Sequence, residues 1–305
     1  MSAPFQNAPA VPPDAPWIAL ADYALVQLVG PHALNFAQAQ FASDCANLPL
    51  GCWQWSCWLT AQGRVRALFA LFRAQQDQVW LICPGGDSTW LAKELYPYII
   101  RRKLTVQPLR GWSVIAAMAA PRHAQGSVTA LGDDGRIEFD LGAPSAPRCL
   151  ALVPADHIRV DDSMFTDEWK ECDLTMGLAH LTPDQAGQWT ANQLALQRLN
   201  AVSVSKGCYP GQEIVARTHF LGKNKRVSYL LQTSQPTPSG TNVYGPDETL
   251  IGTVVDASQR VALAVLPIDW QHWPVHTTAG VAEPRPMLEG LARFFPSITT
   301  APTTL

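Results

Sequence analysis

Three apolar runs between Cys52 and Cys83 constrain the fold most: CWQWSCWL, RVRALFALFR and VWLIC, parted by AQGR and QQDQ. Each run is too short for a typical buried helix. Each is rich in β-branched or aromatic residues and bounded by turn formers. A three-strand meander is the economical reading. Upstream, WIALADYALVQLVG reads as two strands or a hairpin. PHALNFAQAQFASD then reads as a helix, with Pro31 at its first position and Leu34, Phe36 and Phe41 spaced for one buried side. Downstream, PGGDSTWLAKELYPYIIRRK is read as a helix capped by Asp87 or Ser88 and ended by Arg101, Arg102 and Lys103. LTVQPL is a further strand. Strands, helix and strand in this order predict an α+β, ferredoxin-like lobe.

A second lobe is predicted from about residue 111, beginning WSVIAAMAA and running to residue 220, with QWTANQLALQRLN helical. From Arg226 the pattern becomes short strands (VSYLLQ, LIGTVVDA, RVALAVLPI), which predicts a small β-barrel over 221–281. Residues 282–305 are read as a C-terminal extension, a docked helix followed by a tail. The Pro- and Ala-rich residues 1–16 are read as a disordered tail without the basic and apolar regions of a secretory signal. No apolar run approaches the ~20 residues of a membrane helix. At 47% hydrophobic and 15% charged, the chain of 305 residues has ample material for packed cores. A formal net charge of −3 gives no global attraction to nucleic acid or anionic membranes. Seven cysteines without a CxxC pair form neither a secreted disulfide framework nor a zinc knuckle, so a reduced, cytoplasmic setting is expected.

The stretch SKGCYPGQEIVAR, Ser205–Arg217, carries the chemistry most open to interpretation. With Pro210 as a first helical residue, Cys208 stands just before a helix N-terminus. In an extended segment Lys206 points to the same side as Cys208 and favours its thiolate. Glu213 and Arg217 are spaced to pair across one helical turn. The plainer alternative is that Gly207, Pro210 and Gly211 make a turn and Cys208 fills space.

KGCYPGQEIVAR resembles the signature of the YgfZ folate-binding proteins, the iron–sulfur assembly branch related to the glycine-cleavage T-protein. Phe36, Gln38, Gln40 and Asp44 match that family's F-x-Q-G-Q-x-T-x-D helix end. LTAQGRVRALFALFR is similar to its D-x-x-G-(K/R) hairpin, and LQRLNAVSVSKGCYPGQEIVARTHFLGKNKR follows its core block. The resemblance implies two lobes and a barrel in a ring around a channel for tetrahydrofolate or a one-carbon derivative. It also implies an accessory role in assembling or repairing iron–sulfur enzymes, including tRNA-modifying ones, rather than a stand-alone enzyme. Cys208 is carried over as the functional thiol, with Lys206 as its activator. Asp44, Gln38, Gln40, Thr175, Gln212, Glu213, Arg217, Lys225 and Arg226 are carried over as the folate-binding set. The expected partners are folate and iron–sulfur client proteins, with no membrane, no direct tRNA contact and a monomeric state. Ala39, Ala42, Asn192 and Ala195 depart from the pattern. So does Thr175, which falls where many relatives carry a folate-facing Glu; a hydroxyl replaces a good acceptor for paired N–H donors.

Other readings stay open at this stage. Asp44 either faces folate or caps its helix. Trp53 and Trp55, on one strand face, form a stacking wall for a flat ligand or part of the core. Cys172 and His180 make no convincing metal pair, and His219 is a poor candidate base for a cysteine hydrolase. No acidic residue occurs from Ile214 to Pro246, while Arg217, Lys223, Lys225 and Arg226 cluster. This is a solvated loop, or an anion site for a folate glutamate tail or an RNA phosphate. The competing functions are a folate-dependent aminomethyl- or methyltransferase and an RNA-binding accessory.

Overall fold

A computed structural model describes residues 16–132, 134–143, 146–155, 162–222, 224–271 and 273–295. The N-terminal tail, Lys223 and residues 296–305 therefore lie outside the described residues. In chain order the strands and helices begin with β1 (Ile18–Ala19), β2 (Tyr23–Val29) and α1 (Ala33–Gln40). The meander follows as β3 (Trp53–Leu59), β4 (Val65–Gln75) and β5 (Gln78–Pro84), then α2 (Ser88–Leu95) and β6 (Thr105–Pro108). These form one antiparallel sheet in the order β3-β4-β5-β2-β6, with β1 left out of it. β1 pairs instead with β7 (Trp112–Ala117). It opens a second sheet with β8 (Ala130–Leu131), β9 (Ile137–Asp140) and β10 (Cys149–Pro154), in the order β1-β7-β10-β9-β8. Of the two readings of residues 17–30, two strands or a hairpin, the structure has two strands, and they part into different sheets.

The first sheet is covered on both faces, which explains its nearly unbroken apolar strands. One face packs under α1 and α2 through Phe36, Phe41, Trp58, Phe69 and Leu91. The other meets the second sheet through Trp53, Trp55, Phe72 and Phe139. Trp53 and Trp55 are both buried, with ring centroids 5.4 Å apart and edge to face. They belong to the core, and the ligand-wall reading is set aside. α2 is shorter than the 20-residue span read from sequence. Asp87 caps it by accepting from the Trp90 amide at 2.8 Å, and a 3-10 turn at Tyr96–Tyr98 ends it where Pro97 supplies no amide donor.

Two helices follow: α3 (Ser163–Thr175), capped by Asp162, and α4 (Gln212–Leu221). Between them QWTANQLALQRLN is not a regular helix. It is a set of turns with one 3-10 turn at Leu196–Leu199, flanked by Ala195 and Asn200 in left-handed backbone. The strands β11 (Arg226–Thr233), β12 (Asn242–Tyr244), β13 (Leu250–Ala257), β14 (Val261–Pro267), β15 (Val275–Thr277) and β16 (Gly280–Arg285) close the barrel. The barrel thus ends at Arg285 rather than 281. Residues 286–295 dock as irregular chain and not as the expected helix.

The parts meet in one shared core that also takes in Trp169 of α3, Leu230 and Leu263 of the barrel, and Leu291. A buried charge network pins that junction. His180 Nε2 lies 2.9 Å from Asp173 Oδ2 on α3, and its Nδ1 lies 3.3 Å from Asp22 Oδ2 between β1 and β2. Its backbone amide donates to Asp256 of β13 at 2.8 Å. Arg148 backs Asp173 at 2.8 Å, and Tyr23 donates its hydroxyl to the same carboxylate at 3.0 Å. Burial lowers the His180 pKa, but hydrogen bonds to Asp173 and Asp22 and the charges of Asp173 and Asp256 outweigh it and raise the value from 6.5 to about 9. The folded state therefore holds a proton that the unfolded state releases near pH 6.5. Stability from this group is full below pH 6.5 and is lost as the pH rises through about 9. Denaturant titrations should show unfolding free energy falling across that window, by at most about 1.4 kcal/mol per pH unit. His180→Gln should lower stability at neutral pH and flatten that slope. An unchanged slope in the variant would assign the pH dependence elsewhere.

Candidate functional site

The site is built where α1 stops. The last turn of a helix leaves carbonyl groups without intrahelical donors, and these carry the negative end of the helix dipole. Here one side chain serves them. Lys206 Nζ donates to the carbonyls of Gln38 at 2.6 Å, Phe41 at 2.6 Å and Ser43 at 2.8 Å, which uses all three ammonium hydrogens. The side chain is buried, and burial pulls its pKa below the ordinary lysine value. The ring of Tyr209 lies over the ammonium at 5.0 Å, and the Tyr209 hydroxyl donates to the Ser203 carbonyl at 2.7 Å. Gln212 closes the loop by donating its side-chain amide to the Lys206 carbonyl at 3.0 Å.

Lys206 and Tyr209 therefore turn inward, and Gly207 and Cys208 are left exposed between them. The reading of Lys206 as an activator of Cys208 required an extended segment. Residues 204–207 are a series of bends instead, and the ammonium charge acts on the buried thiols of Cys45 and Cys57. Lys206 is an anchor. The helix boundary also differs. α4 starts at Gln212 with Gly211 as its left-handed cap, so Pro210 and Cys208 precede the helix.

Gly211 is fixed by a close approach. Its φ is +79°, and a Cβ there would stand 2.6 Å from the Thr60 carbonyl oxygen and 2.7 Å from Gly63 Cα. Gly63 lies in the β3–β4 turn with φ of +70°, so two glycines permit backbone contact between that hairpin and the Cys208 loop. Of the seven cysteines only Cys208 is exposed; Cys172 is half-buried and five are buried. Burial raises the pKa of all six, to about 11 for Cys45.

A cavity of about 270 Å³ borders the anchored loop, lined by Asp44, Gln54, Asn200, Ser203, Ser205 and Phe295, among others. Gln38 shapes its edge by accepting from the amides of Cys45 at 2.7 Å and Ala46 at 3.1 Å. Asp44 caps no helix. Its Oδ2 accepts from Asn47 at 2.7 Å, while Oδ1 is buried without a partner. Gln40 Oε1 is likewise buried and unpartnered. Gln54, a lone amide in an otherwise buried strand, donates to Ser43 Oγ at 3.0 Å and to the Asp44 carbonyl at 2.8 Å. The sequence reading missed it, although an amide inside CWQWSCWL was a signal.

The rest of the expected set is dispersed. Thr175 ends α3 and does not line this cavity; its carbonyl accepts from the Leu288 amide at 2.9 Å. Glu213 and Arg217 are exposed on α4, and no ion pair joins them among the described residues. Lys225 is exposed. Arg226 donates to the Ile251 carbonyl within the barrel. None of these cations lines the cavity at Asp44, and Lys223 is outside the described residues.

No family model matches the chain. It is 28% identical over 234 residues to the tRNA-modifying protein YgfZ of Serratia proteamaculans, covering 70% of each chain. It is 26% identical over 279 residues to the protein of that name from Photobacterium profundum, covering 83% of each. The resemblance to the YgfZ proteins read from the sequence is thus matched by curated relatives over most of the chain. Among solved structures it is similar to the glycine cleavage system aminomethyltransferase T of Bartonella henselae. The TM-score is 0.70 at 17% identity, over 92% of this chain and 87% of that one. A chain similar in sequence to YgfZ proteins thus has the fold of that aminomethyltransferase, with two lobes and a barrel.

Native protein treated with a maleimide at neutral pH should take up one equivalent rapidly, and Cys208→Ser should remove it. Fast labelling of a second thiol would show that the burial of the others is not maintained. Gly211→Ala should cost at least about 2 kcal/mol from left-handed backbone and the clash with Thr60. A melting temperature within one degree of wild type would show that the hairpin can yield.

Proposed function

We propose that this protein is a folate-binding accessory factor for assembly or repair of iron–sulfur enzymes, including enzymes that modify tRNA. The observation that carries the reading is the presentation of Cys208. One thiol is held at the surface by neighbours committed to anchoring, while burial suppresses the remaining six. A thiol in that position is accessible to a partner protein. The name of the curated relatives, tRNA-modifying protein, supports the client class. No helix of the described residues is long and apolar enough to cross a membrane. A cytoplasmic setting, where thiols stay reduced, is part of the same proposal.

The cavity at Asp44 fits the ring end of a reduced folate. Asp44 Oδ1 is a buried acceptor lacking a donor, which is costly unless a ligand supplies one. A pterin offers paired N–H groups to such an oxygen. Asn47 and Gln54 fix the Asp44 carboxylate and backbone so that Oδ1 stays turned away from them. Tetrahydrofolate, when bound, carries a one-carbon unit. The chain's own part is to orient the ring through Asp44 and to keep Cys208 on the outer face of the same anchored loop. Thr175 supplies no acceptor to this cavity, and the cations at 217, 225 and 226 do not reach it. This favours an accessory role over the transferase reading and gives a glutamate tail no assigned partner.

In a strain lacking the protein, Cys208→Ser should accumulate as folded protein yet fail to restore iron–sulfur enzyme activity. Full rescue would remove the thiol from the account. Calorimetry with tetrahydrofolate should show binding to wild type and a loss of roughly tenfold or more in Asp44→Ala, as expected for removing a charged hydrogen-bond partner. Turnover with an aminomethyl-lipoyl donor would favour the transferase instead.

A further inference from the structure

Residues 286–295 leave the barrel at Arg285 and run between the two lobes. The Leu288 amide donates to the Thr175 carbonyl at 2.9 Å, and Trp55 Nε1 donates to the Leu291 carbonyl at 3.0 Å. Leu291 is 1% exposed and part of the shared core. Asn200 donates to the Arg293 carbonyl at 3.1 Å. The segment finishes at Phe295, which forms one wall of the cavity holding the unpartnered Asp44 Oδ1.

The grip of this segment is of an unusual kind. It contains no helix or strand. Leu291 is its one deeply buried aliphatic side chain, while Leu288 is 39% and Phe294 70% exposed. Arg293 is buried, and its guanidinium donates to the carbonyls of Asp140, Gly142, Gly290 and Ala292 without a carboxylate partner. Burial lowers its pKa to about 10. The Trp53 ring lies 5.4 Å from the guanidinium carbon, but no carboxylate is hydrogen-bonded to it. A charge taken out of water without a hydrogen-bonded counterion is incompletely compensated, and water recovers it on release. Met287, Leu291 and Phe295 are its apolar contacts with the cores, and Arg198 and Ser127 donate to its carbonyls at Leu288 and Phe294. A segment held this way, without regular structure, opens at lower cost than a core strand or helix. The cavity that Phe295 lines, about 270 Å³, falls below the roughly 300–1,000 Å³ of sites that enclose drug-sized ligands.

We propose that residues 286–295 are an internal competitor for the ligand of the Asp44 cavity, and that reduced folate enters by displacing them. The inference rests on the folate reading above. The segment sets the apparent affinity by reducing the fraction of molecules competent to bind. The test uses the full chain. Tetrahydrofolate binding is measured by calorimetry for wild type, Leu291→Ala and Arg293→Ala, with circular dichroism confirming the fold. Both variants should bind about tenfold or more tightly than wild type, because each loosens the segment without touching the cavity acceptor. Hydrogen exchange on wild type alone gives a second reading that no variant can compromise. Saturating tetrahydrofolate should speed exchange of the Leu288 amide. Equal affinities, or slower Leu288 exchange with ligand bound, would overturn the competition while leaving folate binding intact. Absence of tetrahydrofolate binding in every form would overturn the folate reading, and this inference with it.

Discussion

The ammonium group of Lys206 organises the candidate site. Three carbonyls at the end of α1 need donors, and one buried cation supplies all of them across more than 160 residues of sequence. A charge-assisted hydrogen bond contributes about 1.5–3 kcal/mol, against a desolvation penalty of several. The net gain is modest. The cost of removing the ammonium is larger, because three carbonyls would be left without partners. The same contact joins the first lobe to the Cys208 loop, next to Asp44 in sequence at Ser43, and has Tyr209 as its cover. Lysine, glycine, cysteine and tyrosine thus occur in succession because two must face inward and two outward.

That junction sits on a frame whose parts share a core instead of owning separate ones. The first sheet is buried on both faces, the barrel contributes Leu230 and Leu263 to the common core, and His180 links three carboxylates from three parts of the chain. Relative movement of lobes and barrel would break this buried charge network. The element proposed to yield is residues 286–295, whose polar contacts are made largely through backbone carbonyls.

The sequence made the meander, the barrel and the α1 region legible because turn formers and apolar runs mark them locally. It was less informative where distant backbone decided the outcome. β1 and β2 look like a hairpin, yet β1 finds its partner in β7, nearly 100 residues on. α3 was not anticipated, although Asp162 announces its cap, because Asp, Glu and Lys interrupt its apolar spacing. The helix expected over 188–200 yields to left-handed backbone at Ala195 and Asn200. At the candidate site, family motifs point to Cys208, Asp44 and Gln38; the structure exposes Cys208 and places Asp44 on the cavity wall. Lys206 was identified with the wrong role, since alternation along an extended strand does not apply to a bend. Gln54, Asn200 and Phe295 were absent from the expected set. The last two reach the cavity through chain reversals that side-chain patterns do not encode.

The account's central claim is that Lys206 acts as a structural anchor and not through the Cys208 thiol. The direct measurement is Lys206→Met followed in parallel by thermal unfolding and by the rate of Cys208 maleimide labelling at pH 7. Removing the donor to three buried carbonyls should lower the melting temperature by about 5 °C or more, from a cost of about 2–4 kcal/mol. Labelling should be as fast as in wild type or faster, as the loop loosens. Unchanged thermal stability with markedly slower labelling would contradict the account and return Lys206 to the role of activator.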